Sequence, residues 1–113
     1  MIYRIAEQSE WLQTQRSGFF ASPDLAAEGF IHSSELHQVL RTANKYYRGK
    51  SSLVLLEIDD ALLGDVVVRE DLTGAGMRFP HVYAPIPIHA IVRHFAFVED
   101  AVTGFALPAE LDT

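Results

Sequence analysis

The chain has 113 residues, no cysteine and a formal net charge of −6 at pH 7. Without cysteine it has no disulfides, thiol nucleophile or thiolate zinc site. The negative charge argues against nonspecific nucleic-acid binding, which needs clustered lysine and arginine. No apolar run approaches the ~20 residues of a membrane helix, and the N-terminus lacks the pattern of a signal peptide. We therefore expect a single cytoplasmic domain over residues 1–113.

Hydrophobic periodicity and turn residues predict short elements in the first third of the chain. They are a strand at 2–5, a helix at 10–17, an extended piece at 19–20, a helical turn at 25–27 and a strand at 30–32. A second helix is predicted over 34–47, because Leu36, Val39, Leu40, Ala43 and Tyr47 recur at helical spacing.

The rest of the chain reads mainly as strands. The apolar run at 53–59 is typical of a central strand buried on both faces. Further extended segments are predicted at 66–70, 79–83 and 92–98, with a loosely packed tail over 99–113. Two early helices followed by strands indicate an α+β fold with mostly antiparallel pairs.

His32 lies in the segment Glu28–Ser34, between an apolar strand and the start of the second helix. Ser33 or Ser34 is predicted to cap that helix. An imidazole, two hydroxyls and free backbone N–H groups would then meet at one place, which suits an anion such as phosphate. The alternative is a buried structural histidine beside two capping serines.

His81 lies in the second informative segment, Phe79–Tyr83. In an extended strand Phe79, His81 and Tyr83 point to the same side. They would form an aromatic platform with one titratable group, able to stack a nucleobase or a nicotinamide-like ring. The alternative is an edge strand whose aromatic face covers the core.

Other residues add weaker signals. Tyr46 could line a pocket mouth, and Gln38 and Asn44 could supply amide contacts, although solvated helix positions are the commoner outcome for both amides. A local basic group could form from Arg41, Lys45, Arg48 and Lys50. No sequence-local ligand pair predicts a metal site, and no Gly-x-Ser-x-Gly elbow predicts a serine hydrolase.

The two histidine motifs together resemble the bacterial family catalogued as domain of unknown function 952. The motifs are Glu-Gly-Phe-Ile-His-x-Ser at 28–34 and Phe-Pro-His-Val-Tyr at 79–83. The likeness runs over about residues 2–98 and includes Ile2-Tyr3, Trp11, Gly18, Gln38, Ala43-Asn44 and Leu55 to Asp59.

The resemblance implies a fold similar to ADP-ribosyltransferases, with a split, mixed sheet around an NAD-binding cleft and two helices in the N-terminal half. The order of strands and helices along the chain is also similar to that of the RNA 2′-phosphotransferases. By this likeness His32 and Ser34 face the cleft, and residues 79–83 form its opposite wall. Arg4 stands where family members usually carry histidine, and it could hold a ribose. Many ADP-ribosyltransferases have a glutamate late in the chain that polarises the ribose. Residues 79–83 contain no glutamate, and His81 lies near the position that the likeness gives to it.

Two classes of function follow as alternatives, because one fold hosts many activities. In the first, a nucleotide-like ligand, with NAD as the cofactor to consider, binds through Arg4 and His32, stacks on Tyr46 or Tyr83, and reacts with His81 as acid or base. In the second, the chain is a non-catalytic small-anion binder or a structural interaction domain.

Overall fold

Three short helices in the first half of the chain alternate with strands in the computed structural model, which describes residues 1–111. The helices are α1 Gln8–Ser17, α2 Pro23–Glu28 and α3 Val39–Tyr46. The strands are β1 Ile2–Glu7, β2 Phe19–Phe20, β3 Ile31–His32, β4 Leu53–Ile58, β5 Val67–Glu70, β6 Phe79–Val82, β7 Ile86–Pro87, β8 Ile91–Phe97, β9 Glu99–Asp100 and β10 Gly104–Phe105. These elements confirm an α+β fold.

Two three-stranded antiparallel sheets carry the architecture. One has the order β1-β4-β8 and the other the order β3-β6-β5, with two-stranded pairs β2-β7 and β9-β10 beside them. An isolated antiparallel bridge between Tyr3 and Ser34 joins the two larger sheets. Backbone bonds of 2.8 Å in both directions make this bridge, so the chain after β3 is fixed against β1.

β4 is the central strand, as its apolar run predicts. All six of its residues, Leu53–Ile58, are buried. One face packs with Ile2, Phe20 and Ile31, and the other packs with Val39 and Phe97. Because apolar layers cover both faces, β4 tolerates the continuous hydrophobic sequence.

The start of the second predicted helix differs from the expectation. A 3-10 turn at Leu36–Gln38 precedes α3, and neither Ser33 nor Ser34 is its cap. Glu35 is the N-cap instead, and its own backbone N–H donates to Gln38 Oε1 at 2.9 Å. This capping box begins one residue after Ser34 and satisfies two backbone N–H groups, those of Glu35 and Gln38. These two N–H groups are therefore not free for the anion that the sequence predicts near this helix start.

Three further expectations need correction. The helical turn at 25–27 is a complete short helix, α2, which makes three helices instead of two. The tail from 99 does not pack loosely as far as it is described, because Phe105 and Leu111 are buried against the α3 side of the core. Among residues 1–111 every strand pair is antiparallel, so the mixed sheet implied by the ADP-ribosyltransferase likeness is not found. Nor does any helix in that range have the length and apolar character to cross a membrane.

Candidate functional site

A cleft of about 980 Å³ opens where the two larger sheets meet. Strands β1, β3 and β6 supply one wall, and α2, α3 and the 71–77 loop surround it. Five of the predicted site residues line this cleft: Arg4, His32, Ser34, Tyr46 and His81. Residues far apart in sequence are therefore brought to one place by the bridge between the sheets.

The two histidines are direct cross-strand partners. His32 on β3 pairs with His81 on β6, and their ring centroids lie 5.3 Å apart. Phe30 stacks on His81 at 4.2 Å and meets His32 edge-on at 4.8 Å. Because β3 and β6 are joined by backbone pairing, the two imidazoles are held together by the fold itself.

Each histidine has its own carboxylate. His32 Nε2 lies 2.7 Å from Glu28 Oε2, and this pair is half exposed. His81 is buried, and its Nδ1 lies 2.8 Å from Glu70 Oε2. A carboxylate only accepts, so His81 Nδ1 carries a proton and the neutral ring keeps Nε2 as an acceptor.

Glu70 also accepts a hydrogen bond from the hydroxyl of Tyr83. The Tyr83 bond, and then the His81 bond, hold the pKa of the Glu70 carboxyl below its ordinary value. The same bond raises the pKa of Tyr83. Glu70 therefore stays ionised near His81 and fixes the orientation of the imidazole.

Arg4 and Asp24 form a second fixed pair beside the histidines. Arg4 Nη1 donates to Asp24 Oδ2 at 2.7 Å and to the carbonyl of His32 at 2.9 Å. Asp24 also accepts from the backbone N–H of His32 at 2.8 Å. Burial acts to raise the pKa of Asp24, but the Arg4 charge and hydrogen bonds from Ser22, His32 and Arg4 outweigh burial and lower it.

The α3 side of the cleft is cationic. Arg41, Lys45 and Lys50 line it, and the exposed ring of Tyr46 lies 5.2 Å from Lys45 Nζ. Arg48, the fourth member of the basic group predicted from sequence, instead donates to Glu99 at 2.9 Å. Three of those four cations therefore share the cleft with the histidines.

Comparison with known proteins identifies the family. Residues 5–94 match the family described as "Protein of unknown function (DUF952)". The chain belongs to the DUF952 family. The crystal structure of protein CC0527 from Caulobacter crescentus is 35% identical, covers 99% of this chain and 98% of its own, and superposes with a TM-score of 0.89. The solution NMR structure of CC0527 is 37% identical over 92% of this chain and 89% of its own, with a TM-score of 0.80. No curated protein matches the chain.

Three predicted site residues of this DUF952 chain lie outside the lining. Gln38 is buried and donates to the carbonyl of Arg78 at 2.7 Å, so it holds the backbone. Asn44 accepts from the backbone N–H of Phe105, and a Cβ added at Gly104 would lie 2.8 Å from its Oδ1. Tyr83 is not among the residues that line the cleft, and its hydroxyl donates to Glu70.

Sequence reasoning missed Asp24, Phe30 and Glu70 as members of the site. Phe30 and Glu28 both belong to the 28–34 motif. Glu28 precedes His32 by four residues, and these two side chains form a hydrogen bond at that spacing. Asp24 and Glu70 carry no local signal, because their contacts with Arg4 and His81 depend on how β1, β3, β5 and β6 align. Among residues 1–111, no three His, Asp or Glu side chains converge as ligands for a metal ion.

Proposed function

We propose that this chain binds a phosphorylated, nucleotide-like ligand such as NAD or ADP-ribose in the cleft, where the histidine pair transfers protons. The observation that carries the proposal is the cross-strand pair of His32 and His81, each held by its own glutamate at the wall of one cleft. Two imidazoles in contact can supply an acid and a base, because histidine titrates near neutral pH.

The charge distribution around the cleft supports a ligand with an anionic part. Arg41, Lys45 and Lys50 of α3 and the following turn line the cleft, and acids such as Glu7 and Glu10 also belong to the lining. A dinucleotide such as NAD has an anionic pyrophosphate and a cationic nicotinamide ring, which could pair with cations and acids of the same lining. The exposed ring of Tyr46 offers a surface for a nucleobase.

The two histidines differ in ways that suggest distinct roles. His81 is buried and oriented by Glu70 and keeps Nε2 as an acceptor, so we assign it the general base or the ribose contact. His32 is half exposed and bonded to Glu28, so it can exchange protons with solvent and serve as the acid. Proton transfer by a positioned side chain typically contributes about 10²–10⁴-fold in rate.

Two features support a transferase-like arrangement within this proposal. Within residues 1–111 a single isolated backbone bridge, Tyr3–Ser34, joins the sheets β1-β4-β8 and β3-β6-β5, as in a split sheet around a cleft. Glu70, on the strand next to His81, brings a carboxylate into the lining that the segment 79–83 itself lacks. A glutamate in this place could polarise a ribose hydroxyl.

Thermal-shift and calorimetric titration with NAD, ADP-ribose and nucleoside diphosphates test the proposal. A ligand that binds only the folded state raises the melting temperature. We expect a shift with NAD or ADP-ribose that is lost in His32→Ala but retained in His81→Asn, so that the second variant can report on turnover. The matched control His89→Ala, an exposed histidine outside the cleft lining, should keep the shift.

Product analysis then separates an enzyme from a binder. The protein is incubated with each ligand that binds, and breakdown or transfer is followed by proton and phosphorus NMR. Turnover lost in His81→Asn supports the acid–base role. Binding without turnover favours the non-catalytic alternative, and a cooperatively melting protein that binds none of these nucleotides contradicts the proposal.

A further inference from the structure

Arg4 uses only one end of its guanidinium in the described structure. Both of its side-chain hydrogen bonds within residues 1–111 leave from Nη1, toward Asp24 and the His32 carbonyl. Its Nε is buried and has no partner in that range. Nε and Nη2 form the side edge of the planar fork, the edge that matches two oxygens of a carboxylate or phosphate.

Ser33 provides a second unpartnered donor. Its hydroxyl is buried and has no hydrogen-bond partner among residues 1–111, while its backbone N–H already donates to the carbonyl of Pro80 at 3.1 Å. The antiparallel bridge between Tyr3 and Ser34 places Ser33 opposite Arg4 on the neighbouring backbone. Both residues line the cleft and both are nine-tenths buried.

Native proteins seldom leave buried polar atoms unpaired, because each one loses its hydrogen bonds to water without replacement. Here two such atoms belong to facing residues that both line the cleft. The ring of Phe20 lies 5.6 Å from Arg4 Cζ and supports the guanidinium, and Asp24 fixes its far end. The free edge is therefore held in position before any ligand arrives, which lowers the cost of binding.

We propose that the Nε–Nη2 edge of Arg4 and the hydroxyl of Ser33 together hold one phosphate group of the ligand. This inference rests on the function proposed above and names the atoms that anchor its anionic part. In NAD and ADP-ribose each phosphorus keeps two non-bridging oxygens, whose lone pairs can accept from all three donors. Inorganic phosphate has the same tetrahedral arrangement, with oxygens outside the plane of the fork, whereas the two oxygens of a carboxylate lie in one plane. Because Asp24 already balances the Arg4 charge, recognition depends on hydrogen-bond geometry more than on net charge.

Ser33→Ala is the decisive variant, because it removes a hydroxyl that has no partner within residues 1–111. Without ligand, its urea midpoint should equal or exceed that of the wild type, since an unpaired buried group is removed. Its affinity for ADP-ribose in calorimetry should fall by roughly tenfold, the effect of one hydrogen bond to a charged group. Ser51→Ala, an exposed serine outside the cleft lining, is the matched control and should change neither quantity.

Arg4→Lys keeps the positive charge but removes the fork, and it should weaken ADP-ribose binding at least as much. In the wild type, inorganic phosphate should shift the Arg4 Nε–H signal in nitrogen-resolved NMR, and acetate should shift it less. An equal response to acetate would overturn the preference for phosphate. A structural role for the Ser33 hydroxyl predicts instead a lowered urea midpoint in Ser33→Ala with unchanged affinity, which would also overturn the inference.

The two proposals fail in distinguishable ways. If ADP-ribose binds the wild type and is lost in His32→Ala, but Ser33→Ala and Arg4→Lys bind as the wild type does, only the phosphate anchor is refuted. If the wild type binds neither nucleotides nor inorganic phosphate, both proposals are refuted.

Discussion

Two glutamates in this chain are held in nearly the same way in two different surroundings. Glu57 on β4 accepts from the hydroxyl of Tyr3 at 2.8 Å and from Arg93 Nε at 2.6 Å. Glu70 at the end of β5 accepts from the hydroxyl of Tyr83 and from His81 Nδ1. In both clusters a tyrosine and a nitrogen base bind one carboxylate across neighbouring strands.

The two clusters differ in the nitrogen group that binds the carboxylate and in whether the cluster borders the cleft. Arginine stays charged at all relevant pH values, so the Glu57 cluster in the β1-β4-β8 sheet is an ion pair whenever Glu57 is ionised. In the Glu70 cluster the nitrogen partner is the imidazole of His81, and this cluster borders the cleft. The same hydrogen-bond pattern therefore stabilises a sheet in one place and orients an imidazole in the other.

The largest expected effect is the loss of stability in Glu57→Ala compared with Glu70→Ala. Glu57→Ala should lower the free energy of unfolding by about 2–3 kcal/mol, because it removes charged hydrogen bonds from a buried site. Glu70→Ala should lower it less and should instead weaken ligand binding in the cleft. Urea unfolding with unchanged m-values measures the first effect, and calorimetry with ADP-ribose measures the second. The control is Asp65→Ala, which removes an exposed carboxylate. Equal losses of stability in the two glutamate variants would contradict the proposed difference between the clusters.

Acid pH should weaken the stabilisation that Glu57 provides. The Arg93 hydrogen bonds are the main reason that the pKa of Glu57 is lowered, and Tyr3 adds to this against the effect of burial. A lowered folded pKa means that the stabilisation is present above the unfolded value of ~4.3 and is lost as pH falls through the folded value. The stability difference between the wild type and Glu57→Gln should therefore shrink below about pH 4. A difference that stays constant down to acid unfolding would contradict the ion pair.

Elements with a local signal were predictable from the sequence. The continuous apolar run identified β4, and the spacing of Val39 and Ala43 identified the buried side of α3. Both histidines of the candidate site were found because each interrupts an apolar stretch. The orientation of His81 and Phe79 toward the cleft follows from strand alternation alone.

What the sequence could not predict is the alignment between strands. The partners Glu70 and Asp24 were missed because pairing across strands depends on register, which single segments do not encode. The cap of the 36–38 turn was placed too early because Ser33, Ser34 and Glu35 are all plausible caps, and the reciprocal bond of Gln38 decides among them. Phe105 was assigned to a loose tail because an isolated apolar residue has no periodicity to reveal its burial.

The smallest expected effects come from removing one hydroxyl at each cluster. Tyr3→Phe should cost about 1 kcal/mol, the usual net contribution of a buried hydrogen bond, whereas Tyr83→Phe should change stability less, because that bond is exposed. Burial first, and then the Glu57 bond, raise the pKa of Tyr3 to about 12.

A phenol whose pKa is raised in the folded state stabilises the protein below the unfolded pKa of ~10. This stabilisation is lost as pH rises toward the folded pKa of about 12. The difference in unfolding free energy between the wild type and Tyr3→Phe should therefore shrink over this alkaline range. Ultraviolet titration of the phenols checks the assignment, since Tyr3→Phe should remove an ionisation near pH 12. If Tyr83→Phe destabilised the protein as much as Tyr3→Phe and left ligand binding unchanged, the cleft cluster would be structural like its counterpart, and the functional role of Glu70 would fall with it.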